Sequence, residues 1–329
     1  AGPSADRAGR PAGGKGTLMS ASDRSNHVRP ELSKLEAREV PAVLAVFNTS
    51  TLTVTGDGDA NAITVAADSA GNLTVTNNGA PVFIRTTFGA ATKTALTSVT
   101  VDARGGDDTI VLDKSLNVLD AAGKLAAAPD AVLRGGAGND TIRVLSGGFV
   151  GGVIGARVVG NTVMEGGAGN DFLDSGFGND VMLGGDGNDT LRWLPGTLID
   201  TFDGGGGTDT AIIVGNGNNQ GDAFVLGASG PGRALFQRTN LVPFSIDITA
   251  VENVVMQTQS GDDTITVNDL TGTGIRSVTA DGGDGNDTIT GAATNVNLIL
   301  IGGTGNDALT GGRGNDVLAL AQTFVARFA

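Results

Sequence analysis

The chain has no cysteine, no tyrosine, one histidine and one tryptophan in 329 residues. Without cysteine there is no disulfide, no thiolate nucleophile and no Cys-based zinc site. His27 alone cannot supply a two-histidine metal site or a HExxH metalloprotease, and a Ser-His-Asp triad would hang on that single residue. Aromatic residues make up only 4%, so the core available from a 40% hydrophobic chain is one of Val, Ile, Leu and Ala. No run is long and apolar enough to span a bilayer as a helix. Basic residues are also scarce, 21 against 35 acids for a net charge of −14, which argues against a nucleic-acid partner.

What is abundant is glycine, at 54 residues, and acid in particular places. Residues 1–41 carry a net +2, leaving −16 over residues 42–329. The first segment, rich in Gly, Ser, Ala, Arg and Pro without a hydrophobic period, reads as a disordered tail, with a short helix expected over Leu32–Val40. From residue 42 the texture is short β-branched runs of period two, such as Leu52–Thr55, Ile63–Val65, Leu73–Thr76 and Ser98–Val101, separated by Gly, Asn and Asp. The chain reads as all-β. It also reads as two copies of one unit. GDGDANAITV from Gly56, SVTVDARGGDDTIVLD from Ser98 and RGGAGNDTI from Arg134 recur in order as GNGNNQGDAFVL from Gly215, VVMQTQSGDDTITVND from Val254 and DGGDGNDTI from Asp281. This divides the chain into a tail (1–41), a β unit leading into a solenoid (42–130), a first repeat block (131–213), a second β unit (214–260), a second block (261–320) and a C-terminal cap or secretion signal (321–329).

At a finer scale a nonapeptide recurs eight times: GGAGNDTIR at Gly135, GGAGNDFLD at Gly166, SGFGNDVML at Ser175, GGDGNDTLR at Gly184, GGGGTDTAI at Gly204, GGDGNDTIT at Gly282, GGTGNDALT at Gly302 and GGRGNDVLA at Gly311. Glycines at positions one, two and four allow positive φ and a tight turn that exposes carbonyl oxygens. Asn at position five is expected to tolerate the left-handed region. Asp at position six adds a hard anionic oxygen, and carbonyls with carboxylates form a calcium-type donor set. Position eight is apolar in every copy: Ile142, Leu173, Met182, Leu191, Ala211, Ile289, Leu309 and Leu318. The pattern resembles the hemolysin-type calcium-binding repeat GGxGxDxUx of RTX proteins. The resemblance implies a right-handed parallel β-roll with inserted β-strand units, in which two nonapeptides make one coil and Ca2+ sits between loops about 18 residues apart.

The candidate ligands on that reading are Asp140, Asp171, Asp180, Asp189, Asp209, Asp287, Asp307 and Asp316, joined by Asp108 and Asp263 of two shortened motifs, GGDDTIV and SGDDTITV. Asp140 lies 31 residues before Asp171, too far for simple stacking by the repeat rule, and the neighbour expected for Asp316 near Leu298 has lost the motif. Fewer ions than aspartates are therefore expected, roughly three to six. Gly56–Asp59 is expected to be a hairpin turn. No catalytic signature accompanies the repeats: there is no GxSxG, no GxxxxGK[ST], and His27 falls in the tail. The expected role is a non-enzymatic, secreted or cell-surface bacterial protein, structural or surface-associated, whose folding is driven by calcium. The alternatives are a calcium-dependent adhesin or carbohydrate-binding module, and the non-catalytic part of a secreted RTX enzyme or toxin. Calcium is the expected partner, with self-association or cell-surface glycans beside it, and no nucleic acid or membrane span.

Overall fold

The structure is a computed structural model that describes residues 42–119, 125–145, 160–194, 199–215 and 217–320. The tail with His27, the Leu32–Val40 segment and the 321–329 cap or signal lie outside these residues. Among the described residues there is no α-helix; strands fill two long sheets, of 14 and 12 strands. The architecture is a parallel β-roll. Each coil contributes one strand to the first sheet, turns, contributes a strand to the second sheet, and returns; the longer strand lies in the first sheet up to Ile199–Gly207 and in the second sheet from Asn253–Gln257 onward.

The period-two runs explain the strands. In Ser98–Gly105, Val99, Val101 and Ala103 are buried while the residues between them face outward, as alternation across a pleat requires. Parallel pairing in register then stacks like on like. In the first sheet the inward column runs Val101, Leu133, Met164, Met182, Phe202 and Ile248. In the second it runs Ile63, Ile110, Ile142, Leu173, Leu191, Ala211, Val254, Val278 and Leu298. All are sealed from water. Each large aliphatic member contributes about 1.5–3 kcal/mol of transfer free energy, so the core can be built with few aromatics.

Two antiparallel meanders interrupt the parallel stack. The first, Ala62–Ala67, Leu73–Asn77 and Ala80–Val82, ends the second sheet. The other, Ala223–Gly230, Arg233–Arg238 and Phe244–Thr249, enters the first sheet between Ile199–Gly207 and Thr264–Val267. The second sheet meanwhile steps directly from Thr210–Val214 to Asn253–Gln257. The division expected between residues 213 and 214 is therefore bridged by hydrogen-bonded strands of one sheet.

The two sequence copies occupy opposite sheets. Ser98–Gly105 lies in the first sheet and leads to Thr109–Leu112 in the second, whereas the matching Asn253–Gln257 lies in the second and leads to Thr264–Val267 in the first. The first meander correspondingly sits in the second sheet and the other in the first. The second copy runs half a coil out of phase with the first.

Candidate metal centre

The turns lie along two edges of the roll. Passing from first sheet to second, the turns end in Asn61, Asp108, Asp140, Asp171, Asp189 and Asp209. Passing back, they end in Asp180, Asp222, Asp263, Asp287 and Asp307, with Thr162 and Asp200 at the corresponding starts of Thr162–Ala168 and Ile199–Gly207.

The turn at Gly166 shows what each glycine does. Gly167 and Gly169 have φ of +118° and +137°, and a Cβ on either would meet the carbonyl oxygen of Gly136 or Gly138 at 2.0 and 1.8 Å. Gly166 has no positive φ. It is required because its Cβ would meet Asp171 Oδ2 at 2.4 Å and the Gly184 carbonyl oxygen of the next coil at 2.6 Å. Gly184 repeats this with Asp189 Oδ2 and the Gly204 carbonyl, and Gly204 with Asp209 Oδ2 and the Ala250 carbonyl. A carboxylate oxygen of one coil and a carbonyl oxygen of the next thus converge beside Gly166, Gly184 and Gly204, and the Oδ2 of Asp140, Asp287 and Asp307 lies in the same place beside Gly135, Gly282 and Gly302.

The remaining oxygen of each Asp is tied down. On one edge, the Asn61, Asp108, Asp140, Asp171 and Asp189 amides donate in turn to Oδ1 of Asp108, Asp140, Asp171, Asp189 and Asp209 at 2.7–2.8 Å. The Asp209 amide completes the series onto Glu252 Oε2 at 2.9 Å. On the other edge Thr162 donates to Asp180 and Asp180 to Asp200. After a break, Asp222 donates to Asp263, Asp263 to Asp287 and Asp287 to Asp307.

Position five makes a second ladder in the opposite sense. Each later amide donates to the earlier side chain: Asn139 to Asp107, Asn170 to Asn139, Asn188 to Asn170 and Thr208 to Asn188, all at 2.8 Å. Asn286 to Asp262 and Asn306 to Asn286 continue it on the other edge. This corrects the role expected for Asn: none of Asn139, Asn170 and Asn188 has a positive φ, and the side chain is there to accept.

With Oδ1 engaged, Oδ2 of Asp108, Asp140, Asp171, Asp180, Asp189, Asp209, Asp263, Asp287 and Asp307 is buried without a hydrogen-bond partner. A buried anionic oxygen in that position is costly. Burial pushes the carboxyls up accordingly, Asp171 to about 7 and Asp108, Asp180 and Asp263 to about 6. Asp140, Asp189, Asp209 and Asp287 are raised for the same reason. Among the described residues no three acids or histidines gather into an all-side-chain site. The donors are therefore single carboxylate oxygens supplemented by main-chain carbonyls, without nitrogen or sulfur, which suits a hard cation such as calcium. The orphaned oxygens beside next-coil carbonyls fit the ion.

The structure places the ten candidate aspartates unequally. Nine carry the orphaned Oδ2. Asp316 does not: Oδ1 accepts from the Leu298 amide and Oδ2 from Gly312. Asp140 stacks directly on Asp171 despite 31 intervening positions, because the extra length lies in the connection between Thr141–Val144 and Thr162–Ala168 rather than in the turn. Gly56–Asp59 is not a hairpin turn; it carries the chain from the first sheet to the second, and Asn61 opens the carboxylate ladder. Of the position-eight residues, Leu309 is half-buried and Leu318 is 46% exposed, both near the end of the described stack.

Asp200, Asp222, Asn61 and Thr162 were not foreseen as ladder members. Their turns have lost the glycine signature, but each keeps a polar residue two places before an inward apolar one: Asp200 before Phe202, Asp222 before Phe224, Asn61 before Ile63 and Thr162 before Met164. That shorter pattern was the available signal.

The RTX calcium-binding nonapeptide repeat family matches the chain in four copies, at residues 130–147, 159–191, 278–295 and 299–321. The chain carries RTX repeats. The matched segments include the turns of Asp140, Asp171, Asp180, Asp189, Asp287, Asp307 and Asp316. A search of curated proteins finds no relative of this RTX-repeat chain. The RTX match and the donor geometry agree on a calcium-binding β-roll.

Proposed function

We propose that this RTX roll is an extracellular structural or surface-associated protein that folds around calcium and has no catalytic role. The observation that carries the reading is the row of orphaned Oδ2 atoms. Their mutual repulsion opposes compaction until a divalent cation offsets it, so binding free energy becomes folding free energy. Asp171 would help hold an ion with the Gly184 carbonyl, and Asp189 another with the Gly204 carbonyl; an ion supplies positive charge and closes the coordination of those oxygens. The chain's own residues do the rest, the ladders fixing each carboxylate and the glycines admitting it. The paired acids Asp107–Asp108 and Asp262–Asp263 are spent on the two ladders rather than offered for acid–base chemistry, which supports the non-enzymatic reading. Sites that bind near millimolar calcium belong where calcium is abundant, outside cells.

The test is chelation. In EDTA the β signal in circular dichroism is expected to fall, and to return with calcium at roughly millimolar concentration. A spectrum and melting temperature indifferent to EDTA would sink the reading. Scattering during the same titration reports association in calcium.

A further inference from the structure

One turn of the first edge is built by residues that no repeat supplies. Between Phe244–Thr249 and Asn253–Gln257 the chain crosses from the first sheet to the second in three residues, Ala250, Val251 and Glu252. Its neighbour in the stack is the turn from Gly204 to Asp209, and neither turn lies within the segments that match the RTX family. Strand pairing fixes the two turns against each other from both sides. Ile199–Gly207 pairs with Phe244–Thr249 in the first sheet, and Thr210–Val214 with Asn253–Gln257 in the second. The two turns are therefore the seam where the first repeat block meets the second β unit, although 43 positions separate Asp209 from Glu252.

Glu252 does from a short turn what an aspartate does from a nonapeptide. Its longer side chain reaches back so that Oε2 accepts from the Asp209 amide at 2.9 Å, as Asp209 Oδ1 accepts from the Asp189 amide at 2.7 Å. Beside it Ala250 takes a φ of +48°. Its carbonyl oxygen lies 2.1 Å from the place of a Gly204 Cβ, and Asp209 Oδ2 lies 2.7 Å from the same point. Asp209 is fully buried, and its Oδ2 has no hydrogen-bond partner. Burial raises the Asp209 carboxyl, and the charges of Asp189 and Glu252 raise it further. None of the ion pairs among the described residues involves Asp209 or Glu252. In the next coil Arg276 donates its amide to the Glu252 carbonyl, so the unbroken run of acids that begins at Asp108 ends at Glu252.

We propose that Glu252 and Asp209, with the Ala250 carbonyl, hold a calcium ion that clasps the first repeat block to the second β unit across the seam. The proposal rests on the calcium reading of the roll and adds to it a ligand from outside the repeats. Two carboxylates and a main-chain carbonyl are hard oxygen donors of the calcium kind. One divalent ion offsets two negative charges that otherwise meet without a counter-charge in a buried turn. Its donors lie on either side of the 214–249 stretch, so the ion closes that stretch into a loop and limits its freedom. Docking of one copy on the other, and not only folding within a block, thereby depends on calcium.

Calcium counted per full chain by native mass spectrometry, beside hydrogen exchange in saturating calcium, tests this. Glu252→Gln keeps an oxygen for the Asp209 amide and removes only the charge. It is expected to bind one ion fewer than the parent and to keep the parent's protection over residues 135–189. Over residues 250–257 it is expected to exchange faster by roughly tenfold or more. Asp209→Asn combined with Glu252→Gln is expected to bind as many ions as Asp209→Asn alone, because the two acids share one. The parent's ion count in Glu252→Gln, or the parent's exchange over 250–257, would overturn the proposal. So would a further ion lost when Glu252→Gln is added to Asp209→Asn, which would give the two acids separate ions. Loss of protection over 135–189 together with 250–257 in Glu252→Gln would make Glu252 a support of the fold, and would overturn it too. Each of these leaves the calcium reading standing. A parent chain that binds no calcium overturns that reading, and the proposal with it.

Discussion

At the scale of the residue, glycine has two separate duties in these turns, and substitution should tell them apart. Gly187, with φ of +135° and a Cβ position 1.7 Å from the Gly169 carbonyl, is a backbone requirement. Gly187→Ala should cost stability with or without calcium, about 1–3 kcal/mol from strain alone, seen as a lower melting temperature in both conditions. Gly166 guards the space of Asp171 Oδ2 and the Gly184 carbonyl, so Gly166→Ala should chiefly weaken calcium binding, read by isothermal titration; equal loss in EDTA would contradict the distinction. Titration of the carboxylates gives a further expectation. Burial holds Asp171 near 7 and Asp108, Asp180 and Asp263 near 6, above the ordinary 3.8, and Asp200 near 8. The metal-free native chain therefore binds protons that the unfolded chain has already released. This contribution is complete below the ordinary carboxylate value and is lost as pH rises through 6 to 8. Melting in EDTA should accordingly come at lower temperature at about pH 8 than at about pH 5, while the gain on adding calcium should grow over the same range as proton competition fades. A metal-free melting temperature that rises with pH would count against the buried, unpartnered carboxylates.

At the scale of the element, a coil is fixed to its neighbours by two ladders of opposite sense as well as by the sheet. Asn188 accepts from Thr208 and donates to Asn170; Asn188→Ala removes its side-chain acceptor and should cost about 1 kcal/mol in calcium, measurable as a shifted denaturant midpoint. Leu191→Ala, in the middle of the second-sheet column, should cost about 2–5 kcal/mol. What was legible in the sequence follows from this division. Glycines and Asp at fixed spacing are a local requirement of the turn, so the repeat, the strand period and most inward residues could be read directly. The partners of the ladders were not legible, because Asn139 and Asn170 meet only after 31 residues are folded. Thr162 and Asp222 escaped notice because their turns, GNT and GNGNNQGD, depart from the nonapeptide spacing although each still donates its amide to the next carboxylate. Phe224, Phe236 and Phe244 are buried together, and nothing local announces that Trp193 completes their cluster or that Arg238 lies among them.

At the scale of the whole molecule, stability in a stack is carried by contacts between neighbouring coils, so the roll should tolerate removal of a complete one. Deleting residues 172–189, the 18-residue interval between Asp171 and Asp189, joins Asp171 to Thr190 and brings Thr162 to Asp200 in place of Asp180. The shortened chain should regain its β signal in calcium with fewer ions bound; failure to do so would mean that the coils are not interchangeable. The half-coil offset between the two copies takes this further. The same stretch of sequence is used on opposite edges and in opposite sheets, which is possible only because both edges ask for the same chemistry. Each copy also opens with its own antiparallel meander, and the second meander lies against Ile199–Gly207, the last first-sheet strand of the earlier copy. A tandem duplication of such a unit therefore needs no new interface to be invented, since the copy arrives with a surface that already fits its parent. Length in this architecture becomes a heritable quantity that can change in a single genetic event, with the interior unaltered.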